Sequence, residues 1–266
     1  MPNHDKEARS YDTDAGTTLL QGSLNDPDIS ALEKYQRINV GRSSWWSLVG
    51  YELYTMFLAP LPGAAGYVLR RMALKRLLGS MGKGVIVGRN VTIRHPGKIH
   101  LGAGVAVDDY AVLDAKGDNN QGIFVGENVM VGRSTVLSCK DGDLHIGDNT
   151  NIAMSCFIQS ARTVTIGSKV LFGAYCYVIG GGDHVSERTD IPVMDQGQVI
   201  RGITIEDHTW LGADVKVVDG VRIGRDAIIG AGAVVNRDVP AWHIAAGIPA
   251  RVLRDRRTTP GGESEQ

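Results

Sequence analysis

From Ile205 onward the chain places an aliphatic residue at every sixth position without a slip: Ile205, Leu211, Val217, Ile223, Ile229, Val235. A period of six fits neither the 3.6 of a helix nor the 2 of an ordinary strand. It is the period of a parallel β-helix, in which each flat face of a triangular coil contributes one inward aliphatic side chain. Shorter runs keep the same beat upstream: Val87, Ile93, Ile99; Leu101, Val107, Leu113; Val125, Val131, Leu137; Ile146, Ile152, Ile158, Val164; Ile166, Phe172, Val178. Slips between runs read as insertions at corners. Glycine often follows the aliphatic residue, as at Gly88, Gly126, Gly147 and Gly224, and corner triplets read GEN, GDN and GRD. Glycine, asparagine and aspartate tolerate the positive φ that a sharp corner needs. Stacked coils bury a continuous aliphatic column. Residues 87–247 have room for about seven or eight such coils.

One long stretch breaks the beat, VIGGGDHVSERTDIPVMDQGQVIRGITI, from Val178 to Ile205. A long insertion without structure of its own in a compact domain is usually functional, and this one carries a histidine. The expected organisation is a polar disordered tail over 1–28, a helical apolar and basic segment over 29–82, a β-helix over 83–255 with a loop extruded at 180–202, and a second polar tail over 256–266. The chain has 266 residues and a net charge of -1, so nothing in its overall charge draws it to nucleic acid. Its 34 glycines favour a turn-rich fold. Cys139, Cys156 and Cys176 have no metal-ligand spacing, are an odd number, and read as structural thiols in a reducing compartment. The polar N-terminus has no signal-peptide core, which gives a cytoplasmic expectation. Between residues 43 and 69, Glu52 is the single charge, and Pro60 and Pro62 divide the segment into pieces too short to span a bilayer as straight helices. On a helical wheel Leu69, Ala73, Leu74 and Leu77 lie opposite Arg71 and Lys75. Such a helix caps the solenoid, or lies against an anionic membrane surface through residues 45–78.

The C-terminal coils, IEDHTWLGADVKVVDGVRIGRDAIIGAGAVVNRDVPAWHIAAGIPARVLRDR, resemble those of hexapeptide-repeat O-acetyltransferases: the maltose, galactoside and nodulation-factor enzymes and the acyltransferases of polysaccharide clusters. The resemblance covers Val87 to Arg254, and the ending AAGIPARVLR is its most specific part. The segment YELYTMFLAPLPGAAGYVLRRMALKRLL is closer to the polysaccharide branch. The resemblance implies a left-handed β-helix, a homotrimer with sites between subunits, and acetyl-CoA as a co-substrate, with no permanently bound cofactor and no metal. It implies that the extruded loop covers the acyl site and that His184 is the catalytic base. Asp183, Glu187, Asp190 or a backbone carbonyl would orient the ring. Trp210 matches a position beside the acyl end of the donor. Gly212, Ala213, Gly230 and Ala231 match small residues along which pantetheine lies, and Asn236, Arg237, Arg251 and Arg254 match positions near the CoA phosphates. Asn236 stands where a threonine is common and Ala213 where a serine is. Ala153 falls where those enzymes carry a sugar-binding asparagine, so acceptor identity does not carry over.

The chemistry fits. A sugar hydroxyl is a poor nucleophile until its proton is removed, and a histidine accepts that proton near neutral pH. The expected reaction is O-acetylation of a small or lipid-linked saccharide in cell-surface polysaccharide or glycolipid synthesis. N-acetylation of a nucleotide-linked amino sugar is the runner-up. Two remoter classes are a zinc carbonic anhydrase, suggested by the spacing of His95 and His100, and a non-catalytic scaffold.

Overall fold

A computed structural model describes residues 27–258; most of both expected tails lies outside the described residues. From residue 80 the chain winds through three parallel sheets in rotation. The first face has seven strands, from Ser80–Met81 to Arg222–Ile223. The second has nine, from Ile86–Val87 onward, and ends in His243–Ala246 paired antiparallel with Arg251–Asp255. The third has seven, from Thr92–Arg94 to Val234–Val235. The ladder therefore begins three residues before the expected boundary at 83.

Every residue of the hexad runs points inward, with at most 5% of its surface exposed. Burial of such a side chain is worth about 1.5–3 kcal/mol relative to exposure, and the column adds these terms coil by coil. The three cysteines are free and buried in it. The Cys156 and Cys176 thiols donate to the carbonyls of Gly173 (3.3 Å) and Gly212 (3.2 Å).

The corners correct one expectation. The glycine after the aliphatic residue is not the residue at positive φ; that conformation falls two positions later, at Asn90, Asn128, Asn149, Lys169, Tyr175, Asp214 and Asp226. The glycine is required because the next coil's backbone presses on it. A Cβ on Gly212 would stand 2.6 Å from the amide nitrogen of Ala231, and one on Gly147 would stand 2.6 Å from the carbonyl carbon of Gly167. Carboxylates of the following coil complete many corners: Asp109 accepts from Arg89 N–H (2.8 Å), Asp148 from Glu127 N–H (2.7 Å) and Asp207 from Ser168 N–H (2.8 Å).

Corner length varies along one edge. Each first-to-second and second-to-third corner spans four residues, whereas the third-to-first corners range from residues 161–163 to residues 181–202. The extruded loop leaves by this edge. Val164 pairs with Ile203 across it, and parallel stacking resumes at once.

The N-terminal segment folds as α1 (Ala31–Asn39), α2 (Trp45–Leu53) running into a π-helical turn at Tyr54–Leu58, and α3 (Gly63–Leu77). Ser30 caps α1 by accepting Glu33 N–H at 3.2 Å. The segment covers the open end of the solenoid: Tyr54, Ala59, Leu74 and Leu78 join the core column beside Val85 and Val87. The face of α3 differs from the wheel. Leu69 is exposed, with Val68 and Met72, while Gly66, Arg70 and Leu74 are buried. Arg70 sets this rotation. Its guanidinium donates to the carbonyl of Val87 (3.1 Å) on the first strand of the second face, and to those of Leu58 (3.5 Å) and Leu61, where the π-turn ends and the proline-bounded break begins.

Candidate functional site

Gly181 and Gly182, at φ +135° and +100°, swing the chain out of the third face. Few residues other than glycine adopt these angles. The loop then makes its own ladder: Asp183–His184 pairs antiparallel with Gln198–Val199, and Val185 N–H donates to Gly197 O at 3.1 Å. Farther out, Gln196 braces it. Its side-chain oxygen accepts from Arg188 N–H (3.0 Å), and its NH₂ donates to the carbonyls of Arg188 (2.7 Å) and Ile191 (3.1 Å). At the exit Asp219, one coil on and buried, accepts from the amides of Arg201 (2.7 Å) and Gly202 (2.8 Å). The insert is thus clamped where it rejoins the solenoid.

His184 is exposed on this ladder. Among the described side chains, neither Glu187 nor Asp190 orients its ring. Asp190 pairs with Arg188, whose guanidinium holds the Asp190 carboxyl below the usual carboxylate range, and Glu187 accepts from Ser186 N–H (3.0 Å). The Asp183 side chain lies outside the described residues. The partner is Gln198, whose side-chain amide lies 2.8 Å from His184 Nε2. As placed, the NH₂ donates and the ring proton sits on Nδ1. Turned over, the amide carbonyl accepts Nε2–H and leaves Nδ1 bare. Sequence reasoning missed Gln198, Asp219 and the bracing role of Gln196, because each acquires its partner only when the loop doubles back.

The other candidate residues fall into two groups. Trp210 stands half-exposed on the outside of the second face, between the rungs of Leu171 and Ile228. Gly212, Ala213, Gly230 and Ala231 form successive second-to-third corners next to it, where small residues let the coils touch. Arg251 and Arg254 lie on the last strand of the same sheet; the Arg251 guanidinium donates to Ala250 O at 3.1 Å. Asn236 and Arg237 are exposed after the last third-face strand, on the edge that bears His184. A single chain therefore holds His184 and Trp210 on different sides of the solenoid. The outer second face also exposes an apolar row, Ile86, Met130, Leu171 and Trp210, interrupted by exposed Asn151 between Met130 and Leu171.

The two histidines whose spacing suggested a metal serve separate purposes. His95 is buried, with Nε2 donating to Arg37 O at 2.8 Å, and burial holds its pKa below the ordinary value. His100 stacks on Phe124 at 4.6 Å between ring centres and contacts Ser80 Oγ at 3.0 Å through Nδ1. Among the described residues no three His, Cys, Asp or Glu side chains converge as a ligand set.

Comparison with known proteins agrees with this architecture. The model for the bacterial transferase hexapeptide (six repeats) matches residues 202–237. A protein of Mycobacterium tuberculosis named a probable acetyltransferase is 30% identical over 164 residues, 60% of this chain and 51% of that protein. The galactoside O-acetyltransferase of Escherichia coli is 34% identical over 132 residues, 49% of this chain and 63% of the enzyme. The chain thus spans about half to under two-thirds of these relatives. The polySia-specific acetyltransferase NeuO shares the fold at a TM-score of 0.50 and 20% identity, over 70% of this chain and 89% of NeuO.

Proposed function

We propose that this chain, a hexapeptide-repeat relative of the acetyltransferases, transfers an acetyl group from acetyl-CoA to a saccharide hydroxyl, with His184 as general base. The observation that carries the reading is the extruded loop: a glycine launch, a two-stranded ladder presenting an exposed histidine, and an amide 2.8 Å from one ring nitrogen. With the Gln198 carbonyl accepting Nε2–H, Nδ1 takes the proton of the acceptor hydroxyl as its oxygen attacks the thioester carbonyl. The new C–O bond forms, the C–S bond breaks, and the proton passes to the departing CoA thiolate. A base of this kind contributes about 10²–10⁴-fold. The same ring would serve an amine acceptor, so N-acylation uses identical machinery.

The donor lies along the second face and its corners, with Trp210 beside the acyl end, pantetheine over Gly212, Ala213, Gly230 and Ala231, and the phosphates held by Asn236, Arg237, Arg251 and Arg254. Guanidinium forks suit phosphate oxygens. The separation of His184 from Trp210 around the solenoid, and the uncovered apolar row on the second face, support a homotrimer in which each site takes its base from one subunit and its tryptophan from the next. Acetyl-CoA titrated calorimetrically into the full chain should bind at one site per chain. His184→Gln should keep that binding and lower turnover by about 10²–10⁴-fold. An absence of acetyl-CoA binding at millimolar donor overturns the assignment.

The N-terminal cap adds a location. Trp45, Trp46, Met56, Phe57, Val68 and Met72 are all more than half exposed or at half, next to basic Arg71, Lys75 and Arg76. No helix among the described residues is long and apolar enough to cross a membrane. A helical segment that exposes both apolar and cationic side chains suits the surface of an anionic bilayer, where a lipid-linked saccharide would be met from the cytoplasmic side. The chain should float with anionic liposomes and a Trp45→Ser, Trp46→Ser, Phe57→Ser variant should not; equal soluble recovery of both would sink the membrane contact.

A further inference from the structure

A cleft of about 570 Å³ lies between the N-terminal helical segment and the third-to-first edge of the first three coils. That volume suits a small ligand. It is lined by α1 and the turn after it on one side, and by the corners at residues 95–98, 116–118 and 140–141 on the other. Five cationic side chains line it, Arg37, Arg42, Lys98, Lys116 and Lys140, against three carboxylates, Glu33, Asp118 and Asp141.

Pairing leaves Arg42, Lys98 and Lys140 facing Asp118 and Asp141, whose carboxylates meet no cation among the described residues. Arg37 is matched by Glu33 at 2.9 Å and Lys116 by Asp114 at 2.9 Å. Lys98 Nζ donates to Gly117 O (2.6 Å) and Asn120 Oδ1 (2.8 Å), neutral acceptors that leave its charge uncompensated. The Arg42 and Lys140 side chains have no hydrogen bond or ion pair among the described residues. The Arg42 guanidinium lies over Gly97, where a Cβ would collide with it.

The wall is built, not incidental. His95, 93% buried, donates its backbone N–H to Asn39 O (2.8 Å) and its Nε2–H to Arg37 O (2.8 Å), fastening α1 to the first coil. Its Nδ1 is buried without a partner beneath Gly41, whose φ of +68° and missing Cβ allow that contact. A buried polar atom left unpaired costs about 1–3 kcal/mol, so the junction spends stability to hold this shape.

The edge that carries the cleft is the edge from which the His184 loop emerges. The corner at 140–143 and the loop root at Gly180 are two coils apart, about 10 Å at strand spacing. We infer that this cleft is the anion-anchoring part of the acceptor site: Arg42, Lys98 and Lys140 hold the phosphoryl group of a phosphate-bearing saccharide. The acceptor assignment rests on the transferase reading; the anion site itself does not.

The test uses the full chain and calorimetry, with glucose 1-phosphate, glucose and phosphatidylinositol vesicles as probes, so that the sugar–phosphate unit is offered free and on a lipid. Arg42→Gln combined with Lys140→Gln removes two exposed charges that bond to nothing described, so the thermal melt should stay unchanged. Vesicle binding is read in the Trp45→Ser, Trp46→Ser, Phe57→Ser background, which removes the membrane contact of the cap. Binding of glucose 1-phosphate or of the vesicles should weaken about tenfold or more when Arg42→Gln and Lys140→Gln are added, glucose alone should not bind, and the affected probe identifies the source. Arg237→Gln with Arg254→Gln should leave this binding intact. Binding of both probes that ignores the first pair, or is lost with the second, overturns the site. Acetyl-CoA titrated into the Arg42, Lys140 variant separates the two claims. Donor binding in a chain that never takes the phosphate probes refutes the cleft alone, and phosphate binding with the stated dependence in a chain that never takes acetyl-CoA refutes the transferase alone.

Discussion

Replacing Asp219 by leucine tests how the loop is held. The carboxylate is buried and accepts two amides where the loop rejoins the solenoid, Arg201 N–H at 2.7 Å and Gly202 N–H at 2.8 Å. Each bond has a charged acceptor and is worth about 1.5–3 kcal/mol, so removing both costs about 3 kcal/mol or more. Leucine also leaves two amide donors without an acceptor. The cost need not reach the whole molecule, because the ladder on either side is locked by Ile203–Thr163 and Thr204–Val221 backbone bonds. The expected result is local opening of residues 196–202. Hydrogen exchange at Gly202 should accelerate about 100-fold, since about 3 kcal/mol corresponds to roughly two decades, while exchange in the hexad strands barely changes. Asp219→Asn, whose carbonyl can still accept, should fall between. Because the clamp holds Arg201 and Gly202, just past the strand that carries Gln198, turnover should fall in Asp219→Leu with donor affinity kept. Unchanged protection at Gly202 in the leucine variant would refute the clamp.

Two further outcomes follow from the cap. Arg70→Met keeps the aliphatic stem but leaves the carbonyls of Val87 and Leu61 short of a donor, and chemical denaturation should show a loss of at least about 2 kcal/mol. His95 titrates in the opposite sense from a salt-bridged histidine. Burial, the leading cause, lowers its folded pKa below the ordinary 6.5, so neutral His95 stabilises the junction above 6.5 and that stability is lost as pH falls from there toward the lowered value. Exchange protection of α1 should drop as the pH falls below 6.5, and His95→Gln should flatten the dependence.

The solenoid was legible because its inward side chains repeat at a fixed interval, and no other regular backbone makes that interval six. All the aliphatic positions read from that beat are buried. The loop was legible as a break in the beat, and His184 as the histidine within it. What escaped was everything made by stacking rather than by adjacency. Gln198 meets His184 across fourteen residues and Asp219 meets Gly202 across seventeen; no local pattern marks either pair. The role of the corner glycines was misread for the same reason, since the atom that excludes a Cβ on Gly212 belongs to the next coil. Leu69 was put on the buried face because a wheel ranks apolarity, whereas Arg70 turns the helix by satisfying carbonyls that a wheel does not contain.

The three edges differ in what they tolerate, and the difference explains why the loop and the basic cleft share one. At a four-residue second-to-third corner each coil sits directly on the next: a Cβ on Gly173 would strike the Ala213 backbone, and Tyr175 must hold φ +63° two positions on. An inserted residue there has no room and moves the positive φ onto another side chain. The third-to-first edge already holds eight residues at 115–122 and more at 181–202. A carboxylate one coil on closes each of them, Asp143 on Gln121 and Gly122, and Asp219 on Arg201 and Gly202. Such a closure leaves the strands in register whatever the length between, and lengthening a loop costs only about 0.6 kcal/mol per doubling. A Gly-Ser dipeptide inserted after Asp118 should therefore lower stability by well under about 1 kcal/mol, whereas the same dipeptide after Ala213 should unfold the C-terminal coils. Denaturant midpoints for the two variants decide the matter, and equal midpoints would mean that corner length is not what confines the insertions to one edge.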